Sequence, residues 1–506
     1  MRVLLWHGWL LDGSGSNVSV ARIADSMRRA GHDVLLLCQE PHPGHFGFID
    51  AWGTVNREIS ELVPTGAAPA SGRVVLLRPQ IGKLLPVFVY DEYEGFIVKT
   101  FTDLSEDELG DYLERNVTAL RTAAEWHRPE VVIAGHAVPG PPVTRRAIGD
   151  GFVAKVHGSD LEYALKLQDR YVELARQGLE GAAVVAGASA DVLARTAELV
   201  PSIKGRTLVV PPGVEVDRFR PRPRGPALET SATLLESDSE TSRGRPASLD
   251  EAVLAALDAR DDRMLDSLAS RYDQGVPDPG AASRLRDLES FDGPLIGYIG
   301  KLIAPKGVER LIEALALLGS PARGLIIGFG TVRERLTALT EALDAGDVDA
   351  WRWLKEVSDL QLELDAREVE SAAGIARRVT FTGKLDHRYA PAALAALDVL
   401  VVPSTLPEAF GIVSAEGAAV GALPLVARHT GLAEVATALE NEVGRPGLFS
   451  FEPGDGATRR VAEGITRLLS LSASEKNDIR SSVSAYVARE WSWERAAQKL
   501  LDAAAG

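Results

Sequence analysis

The sequence predicts an α/β protein with two Rossmann-like, doubly wound domains that face a cleft. Short apolar runs alternate with segments of helical periodicity, and this alternation occurs in two separate halves of the chain. The length of 506 residues suits several domains, and 45% hydrophobic with 25% charged residues is typical of globular proteins. Ligands bind such sheets beyond the carboxyl ends of the strands, so the cleft is the expected site.

The first predicted domain covers residues 1–215 and begins with a βαβ unit. The helix of this unit is predicted to have Asn17 as its N-cap and Gly31 at its C-terminal end. Strands are predicted, in chain order, at 3–6, 33–37, 131–134, 152–156, 184–186 and 208–210. Their continuous apolar character indicates a sheet covered on both faces. The region from about 52 to 101 matches no pattern that we can interpret.

The second predicted domain covers residues 291–485. Its strands are predicted at 295–299, 325–327, 379–381, 399–402 and 425–427, with a charged helical insertion at about 335–377. An acidic insertion or linker at 222–290 precedes it. This insertion is predicted to be disordered or loose to about residue 248 and to form one or two surface helices after that. Residues 486–506 are predicted to form a closing helix.

The charge balance and the cysteine count exclude several classes of protein. With 55 basic and 71 acidic residues, the net charge of −16 argues against broad binding to nucleic acid. The single cysteine, Cys38, excludes an intrachain disulfide framework and a multi-cysteine metal site. No apolar run approaches the ~18 residues of a membrane span, and the N-terminus lacks a cleavage site. We therefore expect a cytoplasmic protein, with peripheral contact to a membrane left open.

The strongest candidate site follows the predicted strand 399–402 and opens a helix. Glu408 lies in the turn, and Glu416 lies in a helix that is otherwise small or apolar. A buried carboxylate there requires hydrogen bonds, and a ribose diol would satisfy both of its oxygens. The N–H groups of Phe410, Gly411 and Ile412 at the helix start suit a diphosphate. The alternative is that Glu416 faces solvent and Glu408 merely caps the helix.

Two lysines, Lys301 and Lys306, lie between the predicted strand 295–299 and the next helix. At the carboxyl end of a strand they can neutralise a diphosphate leaving group. The alternative is a solvated basic loop. Because the Glu408 turn is predicted at the same edge of the sheet, the sequence favours the functional interpretation.

Weaker signals lie in the first half. His157 ends the predicted strand 152–156 and could donate a hydrogen bond to a sugar, although a lone histidine is usually structural or exposed. His136 ends another predicted strand in the same way, with less support. The loop with Gly13 and Gly15 could admit a phosphate, a sugar or an acceptor close to the backbone.

These motifs resemble those of the retaining family 4 glycosyltransferases, which have the two-domain GT-B architecture. Glu408 and Glu416, with seven residues between them, match the acidic pair of that family, and 300–307 matches its Gly-Arg-x-x-x-x-Lys-Gly pattern. Lys301 stands where arginine is usual, which keeps the charge but loses the bidentate fork. The resemblance covers most of the chain outside the two insertions, and it is stronger in the C-terminal half.

The resemblance implies a retaining hexosyltransferase that takes a nucleotide-diphosphate sugar, UDP- or GDP-linked, as co-substrate and needs no metal or other cofactor. The second domain would bind this donor, and the first would lie on the side of the acceptor, a small molecule, glycan or lipid. The implied roles are Glu416 on the ribose hydroxyls, Glu408 on the donor sugar, Lys301 and Lys306 on the diphosphate, His157 on the sugar, Gly15 along the donor phosphate, and backbone near Gly383 and Lys384 at the base. The sequence does not indicate the oligomeric state.

Three other functions are alternatives to a glycosyltransferase. A dinucleotide-dependent oxidoreductase is suggested by Gly13, Gly15 and Glu40, but the third glycine of that motif would fall at Val18. A non-catalytic sugar- or nucleotide-binding relative is disfavoured by the retained glutamates and lysines. A sugar phosphorylase commonly carries pyridoxal phosphate on a lysine, and nothing marks such a lysine. The one Asp-x-Asp, at 347–349, lies in the charged insertion and is interpreted as a solvated turn rather than a metal site.

Overall fold

The computed structural model describes residues 1–68, 70–319 and 321–505, and the chain divides into two compact units. Unit 1 comprises Met1–Gly213 and the C-terminal segment that begins at Trp491, and unit 2 comprises Val214–Glu490. Each unit contains a mainly parallel sheet with helices between its strands. The predicted α/β class is therefore confirmed.

The strands of unit 1 form a sheet in the order β11-β10-β9-β8-β1-β2-β5-β3-β4, beside a separate parallel pair, β6-β7. They are β1 Arg2–Trp6, β2 Asp33–Leu37, β3 Ala51–Val55, β4 Val63–Pro64, β5 Arg73–Pro79, β6 Leu84–Val87, β7 Ile97–Thr100, β8 Val131–Gly135, β9 Phe152–Val156, β10 Ala182–Gly187 and β11 Thr207–Val209. In the large sheet β4 pairs antiparallel to β3, and the other neighbours are parallel.

The strands of unit 2 form one parallel sheet in the order β14-β13-β12-β15-β16-β17. They are β12 Leu295–Lys301, β13 Arg323–Phe329, β14 Val379–Phe381, β15 Val399–Val402, β16 Leu423–Ala427 and β17 Ser450–Phe451. Because β12 and β15 are neighbours, the loops that leave their carboxyl ends lie at the same edge of the sheet.

Helices cover both sheets. In chain order they are α1 Gly15–Arg29, α2 Glu106–His127, α3 Gly140–Ile148, α4 Gly158–Asp160, α5 Asp169–Leu179, α6 Ala190–Leu199, α7 Arg224–Glu236, α8 Leu249–Ala259, α9 Asp262–Leu268, α10 Ala281–Glu289, α11 Val308–Leu317, α12 Arg333–Asp344, α13 Val348–Val357, α14 Ala366–Glu370, α15 Ala390–Ala395, α16 Ile412–Val420, α17 Thr430–Glu442, α18 Ala457–Leu469, α19 Ala473–Glu490 and α20 Trp493–Ala505. Within the described ranges, no helix combines the length and apolar character that crossing a membrane requires.

The beginning of α1 differs from the prediction. Ser14, and not Asn17, is the N-cap, because the Ser14 hydroxyl accepts a hydrogen bond from the Asn17 N–H at 3.3 Å. The Asn17 side chain lies instead 2.8 Å from Nε2 of His7. Asn17 therefore belongs to the first turn of the helix and serves a buried polar contact.

The region 52–101, which matched no sequence pattern, contributes strands to unit 1. β5 is central in its part of the sheet, between β2 and β3, and Val74–Leu77 within it are fully or almost fully buried. That run of four apolar residues is the usual signature of a strand buried on both faces.

Residues 222–248 were predicted to be loose, but they contain α7. This helix buries Ala227, Leu228, Ala232 and Leu235 and packs against α10 and α15. Arg286 of α10 pairs with two glutamates of α7, Glu229 and Glu236. Two acidic residues of this segment, Glu229 and Glu236, thus belong to a packed helix and are paired, so the charge of the segment did not indicate disorder.

The C-terminal segment also differs from the predicted helix at 486–506. α19 continues to Glu490, and a new helix, α20, begins at Trp493, where the Ser492 hydroxyl accepts from the N–H of Arg495 at 3.2 Å. Gly506 lies outside the described residues.

Candidate active site

Lys306 lies in the loop after β12, in the 3-10 turn Ala304–Lys306 that leads into α11. Gly307 follows with φ of +67°, and a Cβ there would lie 2.5 Å from the carbonyl oxygen of Pro403. Thr405 donates from its N–H to the carbonyl of Pro305 at 2.8 Å. The lysine turn is therefore fixed against the loop that follows β15.

The side chains of Lys306 and Glu408 form an ion pair across these two loops. Both are partly exposed, at 25% and 21% of the side chain, so the pair is accessible to a ligand. The Glu408 N–H donates to the Thr430 hydroxyl at 3.0 Å, and the Gly431 N–H donates to the Glu408 carbonyl at 3.0 Å. Thr430 has φ of +47°, an unfavourable value for a β-branched residue, at the point where it positions Glu408.

The loop that carries Glu408 ends at the start of α16. Gly411 has φ of +84°, and a Cβ there would lie 2.3 Å from a methyl carbon of Leu432. Within the described part of the chain, the N–H groups of Gly411 and Ile412 donate to no acceptor, and the buried hydroxyl of Ser414 has no partner. Phe410 itself is buried. This helix start thus presents unused donors beside the Lys306–Glu408 pair.

Glu416 lies one turn further along α16 and is only 5% exposed. Burial raises the pKa of its carboxyl to about 7, against the opposing effect of His387. Nε2 of His387 lies 3.5 Å from Glu416, and Nδ1 of the same ring lies 3.3 Å from Glu215. The imidazole therefore sits between two carboxylates, and only its protonated form could donate to both.

The remaining predicted residues of unit 2 lie on neighbouring loops. Lys301 is the last residue of β12; its side chain is exposed and forms no ion pair with a described residue. Gly383, after β14, has φ of +74° and accepts from the N–H of Gly328 at 2.9 Å. The ammonium of Lys384 lies 5.3 Å from the centre of the Phe329 ring. The loop that begins at Gly383 and Lys384, which are predicted to meet the base, also carries His387. Through His387 this loop reaches Glu416.

His157 lies in unit 1, directly after β9, at the edge of a buried polar cluster. Its ring centre is 4.3 Å from that of His136, which has φ of +65°, and His7 lies 5.9 Å from His136. Burial, with the nearby Lys155 and the other two histidines, lowers the pKa of His157 well below its ordinary value. The neutral imidazole can both donate and accept a hydrogen bond.

Two buried residues with ionisable side chains, Asp160 and Lys155, lie next to the His157 loop. Asp160 is fully buried and accepts from the N–H groups of Ala137 at 2.6 Å, His157 at 3.2 Å and Leu161 at 3.1 Å. Burial lowers the pKa of Lys155 to about 8, and the attraction of Asp160 acts in the opposite direction. Asp160 therefore joins the loop after β8 to the loop after β9.

Gly15 is the first residue of α1. A Cβ at this position would meet no atom within 4 Å, so nothing inside the protein requires a glycine here. Gly13, two residues earlier, does adopt a left-handed conformation, with φ of +82°. This loop leaves open space beside the backbone at the start of α1.

Several residues of the site were not identified from the sequence. His387 and Glu215 lie 172 residues apart, and no local pattern links them. Asp160 was visible next to His157, but its role as a triple acceptor depends on the fold. Among the described residues, no group of three or more His, Cys, Asp or Glu side chains could hold a metal ion.

Comparison with protein families gives two matches that follow each other along the chain. Residues 286–482 match the model of glycosyl transferases group 1, and residues 14–213 match that of the glycosyl transferase 4-like domain. The first lies within unit 2 and the second within unit 1.

Two curated relatives come from species of Streptomyces. A 2-deoxystreptamine glucosyltransferase from Streptomyces kanamyceticus is 27% identical over 54% of this chain and 63% of its own length. A 2-deoxystreptamine N-acetyl-D-glucosaminyltransferase from Streptomyces fradiae is 34% identical over 22% of this chain and 27% of its own. The chain therefore spans less than two thirds of either relative.

Solved structures share the fold over almost the whole chain. Sucrose-phosphate synthase from Thermosynechococcus elongatus matches with a TM-score of 0.56 at 17% identity, covering 99% of this chain and 97% of that one. Anabaena HepE, solved in complex with UDP and glucose, matches with a TM-score of 0.54 at 15% identity, covering 99% and 98%.

Proposed function

The chain belongs to the family 4 glycosyltransferases of GT-B fold, and on this premise we propose that it transfers a hexose from a nucleotide-diphosphate sugar to a hydroxyl acceptor. The transfer is proposed to retain the anomeric configuration and to proceed without a metal ion. The observation that carries the proposal is the Lys306–Glu408 pair beside the unused N–H groups at the start of α16.

The proposed chemistry depends on stabilising a leaving group. As the bond between the sugar C1 and the diphosphate oxygen breaks, that oxygen gains negative charge. The acceptor hydroxyl oxygen forms the new bond to C1, and its proton passes to the departing diphosphate. Lys306, the exposed Lys301 and the N–H groups of Gly411 and Ile412 would offset the charge on the diphosphate. Fixed donors of this kind need no reorganisation when the charge develops.

The glutamates are proposed to orient the donor. Glu408 would bind hydroxyls of the hexose, at the place where Lys306 meets the diphosphate. Glu416 would accept both hydrogen bonds of the ribose diol, which satisfies a buried carboxylate that has His387 at 3.5 Å. Backbone near Gly383 and Lys384 would meet the base.

Unit 1 is proposed to form the acceptor side, with residues 1–215, whereas residues 291–485 bind the donor. His157 would donate a hydrogen bond to the sugar, and the open backbone at Gly15 would line the donor phosphate. The acceptor is proposed to be a small molecule, glycan or lipid, and 2-deoxystreptamine is the first candidate because both curated relatives are named for it. We propose further that the protein is cytoplasmic, that it can contact a membrane peripherally and that it does not bind nucleic acid.

The direct test combines binding and turnover. Thermal shift and calorimetry with UDP-, GDP- and ADP-hexoses should give one preferred base, with UDP first because HepE was solved with it. Nucleotide diphosphate should then be released on addition of acceptor, equally with and without EDTA, and NMR of the product should give the anomeric configuration. Failure of every nucleotide sugar to bind would refute the proposal, and binding without turnover on a broad acceptor panel would favour a non-catalytic relative.

The affinity for UDP should rise with pH between 6 and 8. Glu416 binds a diol best when ionised, and a pKa of about 7 makes its ionised fraction rise from about one tenth to about nine tenths over this range. In the absence of ligand the same raised pKa means that the native state holds the proton more tightly than the unfolded state, so stability falls as pH rises from about 4.5 to 7. Calorimetry across this range measures the binding effect.

Two controls separate Glu416 from the titration of the diphosphate. A 2′,3′-dideoxy analogue of UDP keeps the phosphates but lacks the diol, and the Glu416→Gln variant keeps the shape of the side chain without its charge. Both should bind more weakly and lose the part of the pH slope that Glu416 contributes. An unchanged slope in both would contradict the assignment of Glu416 to the ribose.

A further inference from the structure

A cavity in unit 2 lies at the opposite end of β15 from the Glu408 loop. It has a volume of about 360 Å³ and is lined by residues just before β15, by the segment 221–224 and by α19. Asp398, immediately before β15, is one of its lining residues, whereas Glu408 follows the other end of that strand. The cavity is therefore separate from the candidate active site.

The polar side chains of this cavity are mainly cationic. Arg222, Arg224 and Arg480 line it, and Asp398 is the one carboxylate among the lining residues. Asn477 and Ser481 of α19 add an amide and a hydroxyl. The formal charge of the lining is thus positive, in a chain whose total charge is −16.

Arg224 has a structural role that uses its donors. It donates to the carbonyls of Gly293 at 2.8 Å and Ala396 at 3.2 Å, and it pairs with Oδ2 of Asp398. The same carboxylate accepts from the N–H of Leu295 at 2.9 Å, and its Oδ1 accepts from Arg480 at 2.8 Å. Asp398 is therefore fully engaged and cannot neutralise a further cation.

The other two arginines of the lining, Arg222 and Arg480, have N–H groups without an acceptor among the described residues. Arg222 forms no ion pair or hydrogen bond with any described residue, and its Nε is buried. Arg480 has one partner, Asp398, and its Nε is also buried without an acceptor. Both guanidinium groups line the cavity and keep N–H groups without an acceptor among the described residues, so an acceptor that enters the cavity would stabilise them.

We propose that this cavity binds a phosphate group, as inorganic phosphate or a small phosphomonoester, between Arg222 and Arg480. The planar fork of arginine matches phosphate oxygens, and the Ser481 hydroxyl and Asn477 amide lie on the same wall. No aromatic side chain lines the cavity, so a nucleobase would have nothing to stack on. This site does not depend on the proposed transferase function.

Arg222→Ala is the informative variant, because Arg222 has no hydrogen-bond or ion-pair partner in the described part of the chain and its loss should leave the fold intact. We expect phosphate, compared with chloride at equal ionic strength, to raise the Tm of the wild type by about 2–4 °C in the presence of saturating UDP. Calorimetry should give a phosphate Kd about tenfold weaker or more in Arg222→Ala. Arg220→Ala, which removes an exposed arginine outside the lining, is the matched control and should behave as the wild type.

Glucose 6-phosphate and inorganic phosphate are titrated separately, and tighter binding of the sugar phosphate would identify a phosphomonoester as the preferred form. The proposal is overturned if phosphate acts no differently from chloride, or if Arg222→Ala keeps the wild-type affinity. Absence of UDP binding would refute the transferase proposal alone, since the comparison of Arg222→Ala with Arg220→Ala is still informative.

Discussion

Lys306→Ala should lower the turnover number of sugar transfer by about 10²–10³-fold, the usual effect of removing one fixed donor from a developing oxyanion. Lys306 is the lysine held against Glu408 by the two loops, whereas Lys301 is exposed and unpaired among the described residues, so we expect a smaller loss in Lys301→Ala. Release of nucleotide diphosphate at saturating donor and acceptor measures the effect.

The loss of activity should not be a loss of folding. The Lys306–Glu408 pair is partly exposed, and such pairs contribute about 1 kcal/mol or less to stability. Lys99→Ala removes a comparable lysine–glutamate pair, with Glu108, from the surface of unit 1 and should leave turnover unchanged. Full activity of Lys306→Ala, at an unchanged Tm, would refute the assignment of this lysine to the leaving group.

Asp160→Ala should destabilise unit 1 by about 3–5 kcal/mol, because three backbone N–H groups would lose their acceptor and the buried Lys155 would lose the attraction of a nearby carboxylate. The loss should be smaller in Asp160→Asn, which keeps one acceptor oxygen. Urea unfolding, with a separate transition fitted for each unit, measures the change.

A neighbouring residue provides the comparison for this variant. Asp169, the first residue of α5, is exposed, and Asp169→Ala should change the stability of unit 1 by less than about 0.5 kcal/mol. If Asp160→Ala were equally mild, water would have replaced the carboxylate, and the loops after β8 and β9 would not depend on it.

The sequence predicted the fold class and most of the strands that carry the site. β15 is short, buried and continuously apolar, and β12 is buried from Leu295 to Tyr298. Each is followed by a loop with a charged residue, so the meeting of Lys306 and Glu408 at one edge follows from parallel pairing. β5 escaped prediction although Val74–Leu77 form an apolar run, because the surrounding region has no clear helical or strand period. The helix α7 escaped because the acidic, serine, proline and glycine residues of 222–248 dominate its composition, although four apolar residues of the helix are buried.

The parts of the site that local patterns could not reveal depend on tertiary contact. No sequence pattern distinguishes His387 from other loop histidines. It lies between Glu416 and Glu215 only because the fold brings the first residues of unit 2 next to the His387 loop. The φ of +47° at Thr430 is likewise imposed by its bond to Glu408 and is not a preference of threonine.

The chain passes from unit 1 to unit 2 after Gly213 and returns to unit 1 at Trp491, and this order affects folding during synthesis. Unit 1 is discontinuous: α20 packs against α1 and β8, and Gly213 lies so close to Trp493 that a Cβ there would be 2.3 Å from its nitrogen. During synthesis the ribosome therefore releases the whole of unit 2 before the last helix of unit 1. Unit 2 can fold as it emerges, whereas the surface of unit 1 that receives α20 stays uncovered until α20 itself has left the ribosome.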